Sequence, residues 1–246
     1  MKKRLLPAWV HRRLDPAQRY GLRVTLFGLA ATLVLVPFSL LLIAVVSEGP
    51  LIRLDKKASG PLNEIFARSE TLETIAKVVS FLGSPPWFYL TVGAATLFFW
   101  RRGDKRISIF LVVTNLMGGV IDTAVKVIVA RPRPELESAL THAVGKSFPS
   151  GHTMASTVGY GALLLAFMPL IPRRARAAVI VGYLLIVALI GGSRLALGVH
   201  FISDVLGGFI LGLAWLALST AAFSIWRQER GKPPVEVTEG IEPEAG

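Results

Sequence analysis

The stretch VTLFGLAATLVLVPFSLLLIAVV, Val24–Val46, has 23 residues and no charged side chain. A helix needs about 20 apolar residues to cross the roughly 30 Å hydrocarbon core of a bilayer. Pro37 inside the stretch is tolerated in a membrane helix. The stretch is too long for the apolar part of a signal peptide, and no A-x-A cleavage site follows it. We therefore expect a permanent membrane anchor.

Five further apolar segments follow, so that the sequence predicts six transmembrane helices. Pro85 and Pro86 at the start of the second are typical of a first helical turn. The third is expected to continue past Ile121 to about Val129. The five segments are Pro85–Trp100, Ile107–Ile121, Thr153–Ile171, Ala175–Gly192 and Phe201–Trp226. We predict an all-α, polytopic membrane protein in which residues 24–226 form one domain.

The composition supports a membrane protein and excludes several other classes. Hydrophobic residues make up 52% of the 246, charged residues only 17%, and the mean hydropathy is +0.57. Soluble domains carry about a quarter charged residues, and disordered chains lack this apolar content. Since the chain has no Cys, neither a disulfide scaffold nor a thiolate metal site is open to it.

Basic residues are concentrated in four segments that six spans would place on one side of the membrane. The net charge is +11, from 27 Lys+Arg against 16 Asp+Glu. Basic connections mark the cytoplasmic side, which accounts for the charge without a nucleic-acid partner. We expect cytoplasmic termini in a multi-pass protein of a bacterial inner membrane. The segments are residues 1–23, 101–106 and 173–176 and the chain after Trp226.

Of two regions outside the spans, one is expected to be helical and the other disordered. In residues 47–84, Leu72, Ile75 and Val79 recur close to helical spacing among many charges. This pattern predicts an amphipathic helix at the interface, in the first outer loop. Residues 227–246 are rich in Glu, Pro and Gly, which predicts a disordered cytoplasmic tail.

The opposite, outer face carries cations and imidazoles that the insertion rule does not explain. Ionisable groups at membrane depth are costly and usually mark function. Arg131, His142 and Lys146 receive no specific role, and Arg131 is predicted to be a surface or lipid-headgroup contact. The outer residues are Lys126, Arg131, Arg133, His142, Lys146, His152, Arg194 and His200.

Most of these residues lie in three patterned segments. The first has a Lys and an Arg-Pro pair separated by six residues, and the second is Pro-Ser-Gly-His. The third joins Ser-Arg to a His after five residues and to an Asp after three more. The segments are Lys126-x6-Arg133-Pro134, Pro149-Ser150-Gly151-His152 and Ser193-Arg194-x5-His200-x3-Asp204.

Together the segments resemble the signature of the type 2 phosphatidic acid phosphatase (PAP2) family. Wider relatives of that family include bacterial acid phosphatases and vanadium haloperoxidases. The similarity is direct over Lys126–Asp204, where every fixed position matches in order. The six-span arrangement resembles the membrane-bound lipid phosphatase branch over most of the chain. One such segment alone would be weak support, but three on one predicted face are strong.

The spacing of His200 and Asp204 already indicates base or nucleophile chemistry. Residues four apart share one face of a helix. A carboxylate that accepts one imidazole N–H fixes the tautomer and leaves the other nitrogen free. The family resemblance implies the stronger assignment, in which His200 attacks phosphorus and forms a phosphohistidine. Taken alone, the pair is equally consistent with a structural ion pair.

The remaining motif residues are expected to bind phosphate and move protons. His152 suits the general acid that protonates the leaving oxygen and then activates water. The Pro-Ser-Gly turn places free N–H groups at a helix start, where Ser150 can donate a hydroxyl and Gly151 lets the backbone approach closely. Fixed cations stabilise phosphoryl transfer, and the three available here are Lys126, Arg133 and Arg194.

No carboxylate cluster suited to Mg²⁺ and no His-rich zinc set is evident in the sequence. We therefore expect no cofactor and a metal-independent reaction. Taken singly, Lys126 is more consistent with a side chain that snorkels from a helix end. Arg133 alone would be an ordinary loop residue, and His152 an interfacial one. The joint occurrence of the three segments favours the functional interpretation.

The expected substrate is a lipid phosphate whose tail stays among the helices, with membrane lipids as the other partners. The resemblance offers polyprenyl diphosphate, phosphatidylglycerol phosphate, phosphatidic acid and lipid A phosphate, and undecaprenyl diphosphate is favoured by analogy. Three rival functions stay open: a phosphotransferase with a lipid acceptor, a non-catalytic lipid binder or transporter, and a nucleic-acid module suggested only by the charge.

Overall fold

The computed structural model describes residues 22–47, 49–136, 138–141, 143–229 and residue 240. Most of the predicted N-terminal segment, His142 and nearly all of the predicted tail lie outside these residues. Within them the chain is all-helical, as predicted, with no β-strand. The helices are α1 (Leu22–Val46), α2 (Pro50–Ala67), α3 (Glu70–Phe81), α4 (Pro85–Arg101), α5 (Lys105–Val129), α6 (Gly151–Phe167), α7 (Arg173–Ala196) and α8 (Ile202–Glu229).

Four described helices have the length and apolar composition needed to cross a membrane. A fifth would be counted if Val34–Val46 and Pro50–Ala67, which are bent by 84° at their junction, formed one span. Helix α4 has 17 residues, the short end of the usual range. The four are α5, Gly151–Leu170 (α6 with its following 3-10 turn, Met168–Leu170), α7, and Ile202–Ser224 of α8.

Helix α8 lies at the centre of the bundle, with α1 and α6 packed along it. Glycine permits the close approach of α6, because a Cβ at Gly208 would lie 2.5 Å from the carbonyl oxygen of Ser150. A small residue at this position is what such close helix packing requires. The pairing brings the start of α6 against the start of α8, which is where two of the three motif segments lie.

Residues 47–84, predicted as the first outer loop and here named the first outer connection after that prediction, contain two helices rather than one. Helix α2 begins with Pro50, and α3 is capped by Ser69, whose hydroxyl accepts the N–H of Leu72. Both helices pack against α7. The polar side chains of Asp55, Asn63 and Ser80 are buried against the bundle, so the connection covers the ends of the spans that carry the motifs.

The end of α8 differs from the sequence prediction. The tail was expected to begin at Arg227, but α8 continues to Glu229 and Arg227 is 2% exposed. The Trp226 ring also lies edge-on to Phe223, at 5.4 Å between centroids. These contacts keep the last turn helical in spite of the polar composition that follows.

Candidate active site

The three motif segments converge on one cavity of about 1300 Å³. Their residues in the cavity come from five places: the end of α5, the loop before α6, the start of α6, the end of α7, and the turn from α7 to α8. His152 and His200, which the family resemblance predicts to act on one phosphoryl group, line the same cavity. The motif residues in its wall are Lys126, Arg133, Gly151, His152, Arg194 and His200.

The contacts of His200 select one tautomer of its ring. Arg133 Nη1 lies 3.2 Å from His200 Nε2, and a guanidinium can only donate. Nε2 therefore carries the lone pair, and the proton lies on Nδ1, which is 3.4 Å from Asp204 Oδ2. Such a distance is long for a hydrogen bond, as is common in sites without substrate. The nitrogen that faces the cation is thus the one able to attack.

Burial keeps this imidazole neutral. His200 is only 2% exposed, and desolvation lowers the pKa of its ring to about 4, although Asp204 opposes the shift. A pKa this far below 6.5 means that the neutral form dominates at neutral pH. The ring is therefore held in the protonation state that a nucleophile requires.

Asp204 is held by more than His200. Its Oδ2 accepts the N–H of Phe201 at 2.9 Å, and its Oδ1 accepts Nη1 of Arg131 at 2.6 Å. The same guanidinium donates through Nη2 to Asp55 Oδ2 at 2.8 Å. The prediction that Arg131 is a surface or headgroup contact is therefore wrong, because the side chain is buried between two carboxylates.

The start of α6 lies against the end of α5. Lys126 Nζ donates to the carbonyl oxygen of Pro149 at 2.8 Å and contacts both carboxylate oxygens of Asp122, at 2.5 and 2.6 Å. A Cβ at Gly151 would lie 3.1 Å from Asp122 Oδ2 and from Lys126 Nζ. An alanine there would require the ion pair to shift by a few tenths of an ångström.

Ser150, whose hydroxyl was predicted to donate to phosphate, does not line the cavity. It is fully buried, and its hydroxyl accepts from Thr153 Oγ1 at 3.0 Å. Its backbone N–H donates to the carbonyl oxygen of Asp204 at 2.9 Å. The residue joins α6 to α8 and is not part of the cavity wall, so its contacts position the helix start.

The two arginines of the cavity are fixed by different partners. Arg133 donates to the carbonyl oxygens of Val199 at 2.8 Å and Gly145 at 3.1 Å. Arg194 is 7% exposed, and its Nη1 donates to Ser80 Oγ on α3 at 2.6 Å. Arg194 Nε is buried with no hydrogen-bond partner among the described residues, so its N–H is a donor that the described part of the protein does not use.

Three residues of the site were missed at the sequence level. Ser80 and Asp55 lie in the first outer connection, far from the motifs in sequence, and no local signal points to them. Asp122 could have been found, because it precedes Lys126 by four residues on one helix face. In the described part of the chain no three His, Asp or Glu side chains group as metal ligands.

Comparisons with known proteins identify the family of the chain. The family model of the PAP2 superfamily matches residues 107–228, which include all three motif segments. The chain belongs to the PAP2 superfamily. It is 29% identical to phosphatidylglycerophosphatase B of Bacillus subtilis over 155 residues, which cover 61% of this chain and 74% of that protein.

Further relatives agree on the membrane branch of the PAP2 superfamily. Lipid A 1-phosphatases of Rhizobium etli and Rhizobium johnstonii are 32% identical over 124 residues, and the matched part spans about half the length of each. The crystal structure of a transmembrane PAP2-type phosphatidylglycerolphosphate phosphatase from Bacillus subtilis matches with a TM-score of 0.68 at 26% identity. That match covers 77% of this chain and 93% of the other. These relatives indicate phosphatase activity for this membrane protein.

Proposed function

We propose that the protein hydrolyses lipid phosphates through a phosphohistidine on His200. The observation that carries the proposal is the pair of contacts to this ring, with Arg133 at Nε2 and Asp204 at Nδ1. A structural ion pair would need only the second contact. An attack on a phosphate requires a cation beside Nε2, because an Arg133 N–H that passes from Nε2 to a phosphate oxygen frees the lone pair and holds phosphorus in front of it.

In the first step His200 Nε2 attacks phosphorus, and the bond from phosphorus to the lipid oxygen breaks. His152 gives its proton to that oxygen, so that the lipid leaves as an alcohol or as a shorter phosphate. The ring of His200 gains positive charge as the P–N bond forms. Asp204, which accepts from Nδ1, stabilises this charge.

In the second step water attacks the phosphohistidine, and neutral His152 takes a proton from it. The P–N bond breaks, inorganic phosphate leaves, and His200 returns to the Nδ1–H form. Lys126, Arg133 and Arg194 stabilise the equatorial oxygens in both steps. With three cations beside the phosphate, we propose that no metal ion takes part.

The shape of the cavity favours a lipid as substrate. Along α5 its wall runs from Lys126 back to Val112, which is roughly 21 Å at 1.5 Å per residue. Along α4 it runs from Pro85 to Trp100, lined mainly by apolar side chains. A phosphate at the polar end would leave the tail beside α4 and α5.

We further propose the six-span arrangement predicted from the sequence, with α1 and α4 as the additional spans. Both termini would then be cytoplasmic, and the site would lie at the outer face of a bacterial inner membrane. The basic connections at residues 101–106 and 173–176 support this orientation. Helices α2 and α3 would lie at the outer interface.

Two substrates are proposed for the site. Undecaprenyl diphosphate is the expectation from the sequence, by analogy alone. Phosphatidylglycerol phosphate is favoured by the similarity to phosphatidylglycerophosphatase B, of which the match covers 74%. The two differ in the bond broken, a diphosphate in the first and a phosphomonoester in the second, and His200 can attack the terminal phosphorus of either.

The test is a panel of lipid phosphates in detergent, with released inorganic phosphate measured. The panel contains these two lipids, phosphatidic acid and a lipid A phosphate. His200→Ala should abolish phosphate release, because the nucleophile is lost. Lys146→Ala should not, because Lys146 is exposed and lies between the first two motif segments, in the loop before α6.

Each rival function predicts a different result. A phosphotransferase would place radiolabelled phosphate on a second lipid instead of in solution. A binder would retain lipid phosphates without any release. Release that persists in His200→Ala would contradict the proposed nucleophile.

A further inference from the structure

We propose that Asp55 and Arg131 are positioning residues for the phosphatase reaction, which keep the negative charge of Asp204 directed at His200. The inference rests on the proposed function of His200 as nucleophile. Neither residue occupies a fixed position of the three motif segments, and neither lines the cavity. Asp55 comes from α2, in the first outer connection, and reaches the site from 149 positions before Asp204.

The geometry joins the residues in one chain of short contacts. Arg131 Nη1 donates to Asp204 Oδ1 at 2.6 Å and to Ser203 Oγ at 2.7 Å. Arg131 Nη2 donates to Asp55 Oδ2 at 2.8 Å. Asp55 also accepts the backbone N–H of Ser203 at 3.1 Å and its hydroxyl. All four side chains are buried, Asp204 and Ser203 fully.

These contacts fix which carboxylate oxygen His200 meets. Arg131 holds Oδ1 of Asp204, and the N–H of Phe201 holds Oδ2, the oxygen that faces His200 Nδ1. The guanidinium of Arg131 lies 4.2 Å from the centroid of the Phe201 ring. With both oxygens held, the carboxylate cannot rotate away from the imidazole.

The charges explain why Asp55 is present beside Arg131. An arginine paired with Asp204 alone would neutralise the carboxylate that must stabilise the phosphorylated imidazole. Asp55 offsets the positive charge of Arg131, so the group of Asp55, Arg131 and Asp204 keeps one net negative charge. In a buried site this charge acts strongly on the neighbouring ring.

A role in fold stability alone would not explain why Asp55 and Arg131 are charged. Buried ion pairs often contribute little net stability, since desolvation offsets the attraction. A hydrophobic contact could join α2 to α8 at lower cost. The polar group is accounted for by its contact with Asp204, the residue that orients His200.

The test is Asp55→Asn, which keeps the size and one acceptor oxygen but removes the charge. We expect kcat to fall about tenfold or more with KM nearly unchanged. A loss of this size is typical when a residue that orients a metal-binding histidine is replaced. Inhibition by vanadate, a five-coordinate mimic of the transition state, should weaken in parallel. Inhibition by inorganic phosphate should not change, because the cavity walls are intact.

The matched control is Glu64→Gln on the same helix. Glu64 is exposed and pairs with Arg68 at 3.8 Å, so this variant removes one carboxylate from α2 without effect on the site. It should retain wild-type kcat. A general loss from disturbed packing of α2 would instead lower vanadate and phosphate affinity alike in Asp55→Asn, and that result would overturn the proposal.

A double variant tests the charge argument directly. Arg131→Met leaves two buried carboxylates side by side, and Asp55→Asn combined with Arg131→Met returns the group to one negative charge. We expect the double variant to be more active than Arg131→Met. If the two losses simply multiply, the proposal is wrong. If Arg131→Met does not fold, the comparison of Asp55→Asn with Glu64→Gln decides.

The two proposals fail in different ways. A wild-type protein that releases no phosphate from any lipid of the panel removes the proposed function, and this inference falls with it. An active wild type with an equally active Asp55→Asn removes only the positioning role.

Discussion

Arg194→Lys is the substitution that tests most directly how the cavity holds phosphate. The arginine is buried, its Nη1 is taken by Ser80, and its Nε has no partner among the described residues. A lysine keeps the positive charge but has a single ammonium group in place of the planar fork. The variant therefore separates charge from hydrogen-bond geometry.

The expected loss of kcat/KM follows from the N–H donors of Arg194 that lysine lacks. A hydrogen bond to a charged group contributes about 1.5–3 kcal/mol. If phosphate satisfies Nε in the transition state, the lysine variant loses at least one such bond. Since 1.36 kcal/mol is tenfold in rate, kcat/KM should fall by roughly 10- to 100-fold.

The assay is phosphate release at limiting and saturating lipid in detergent, with the melting temperature of each variant as a check of folding. Arg68→Lys is the control, because Arg68 is an exposed cation of the first outer connection. A folded Arg194→Lys protein with kcat/KM equal to that of the wild type would refute the argument that the unpaired Nε serves the phosphate.

Three further predictions concern the same cavity. Gly151→Ala should lower kcat/KM by roughly tenfold or more, because its Cβ would meet Asp122 and Lys126 at 3.1 Å; normal rates would show that the ion pair moves freely. Burial lowers the pKa of His200 to about 4, so the ring should stay neutral and kcat/KM should not fall as the pH is lowered through 6.5. Protonation of His200 should lower kcat/KM only as the pH falls through about 4. An acid limb near 6.5 beyond that of the substrate's own ionisation would contradict this. Phosphate release should persist in EDTA; a loss that Mg²⁺ restores would contradict the proposed metal-free step.

The spans near the motifs could be predicted closely because apolar length is a local property. The third predicted span, extended to about Val129, ends where α5 does. The predicted Ala175–Gly192 lies inside α7, which begins at Arg173 and ends at Ala196. At the end of α7 the extra residues include Ser193, Arg194 and Ala196, whose burial against the rest of the bundle extends the helix. At its start, Arg173 and Arg174 are exposed.

The family resemblance predicted that His152 and His200 act on one phosphoryl group, and both line one cavity. The partners of Asp204 could not be predicted from the sequence. Spacing along a helix shows that His200 and Asp204 share a face. It carries no information on Asp55, because the contact with Arg131 joins residues 76 positions apart. Arg131 was assigned to the surface for the same reason, because a cation at a variable position of a motif cannot be told from a headgroup contact until its partner is known.

The helices of the first outer connection show that, in a membrane protein, the polar face of an amphipathic helix can be the one that packs against protein. In a soluble protein the apolar face of a helix packs inward. In α2 and α3 the buried positions include Asp55, Asn63 and Ser80, whereas Leu54 and Val78 are exposed by 60% and 59%. The periodicity in the sequence predicts two faces but does not assign which one meets protein. If the apolar face meets lipid, the polar face is left to contact the site, and that is the face from which Asp55 reaches Arg131 and Ser80 reaches Arg194.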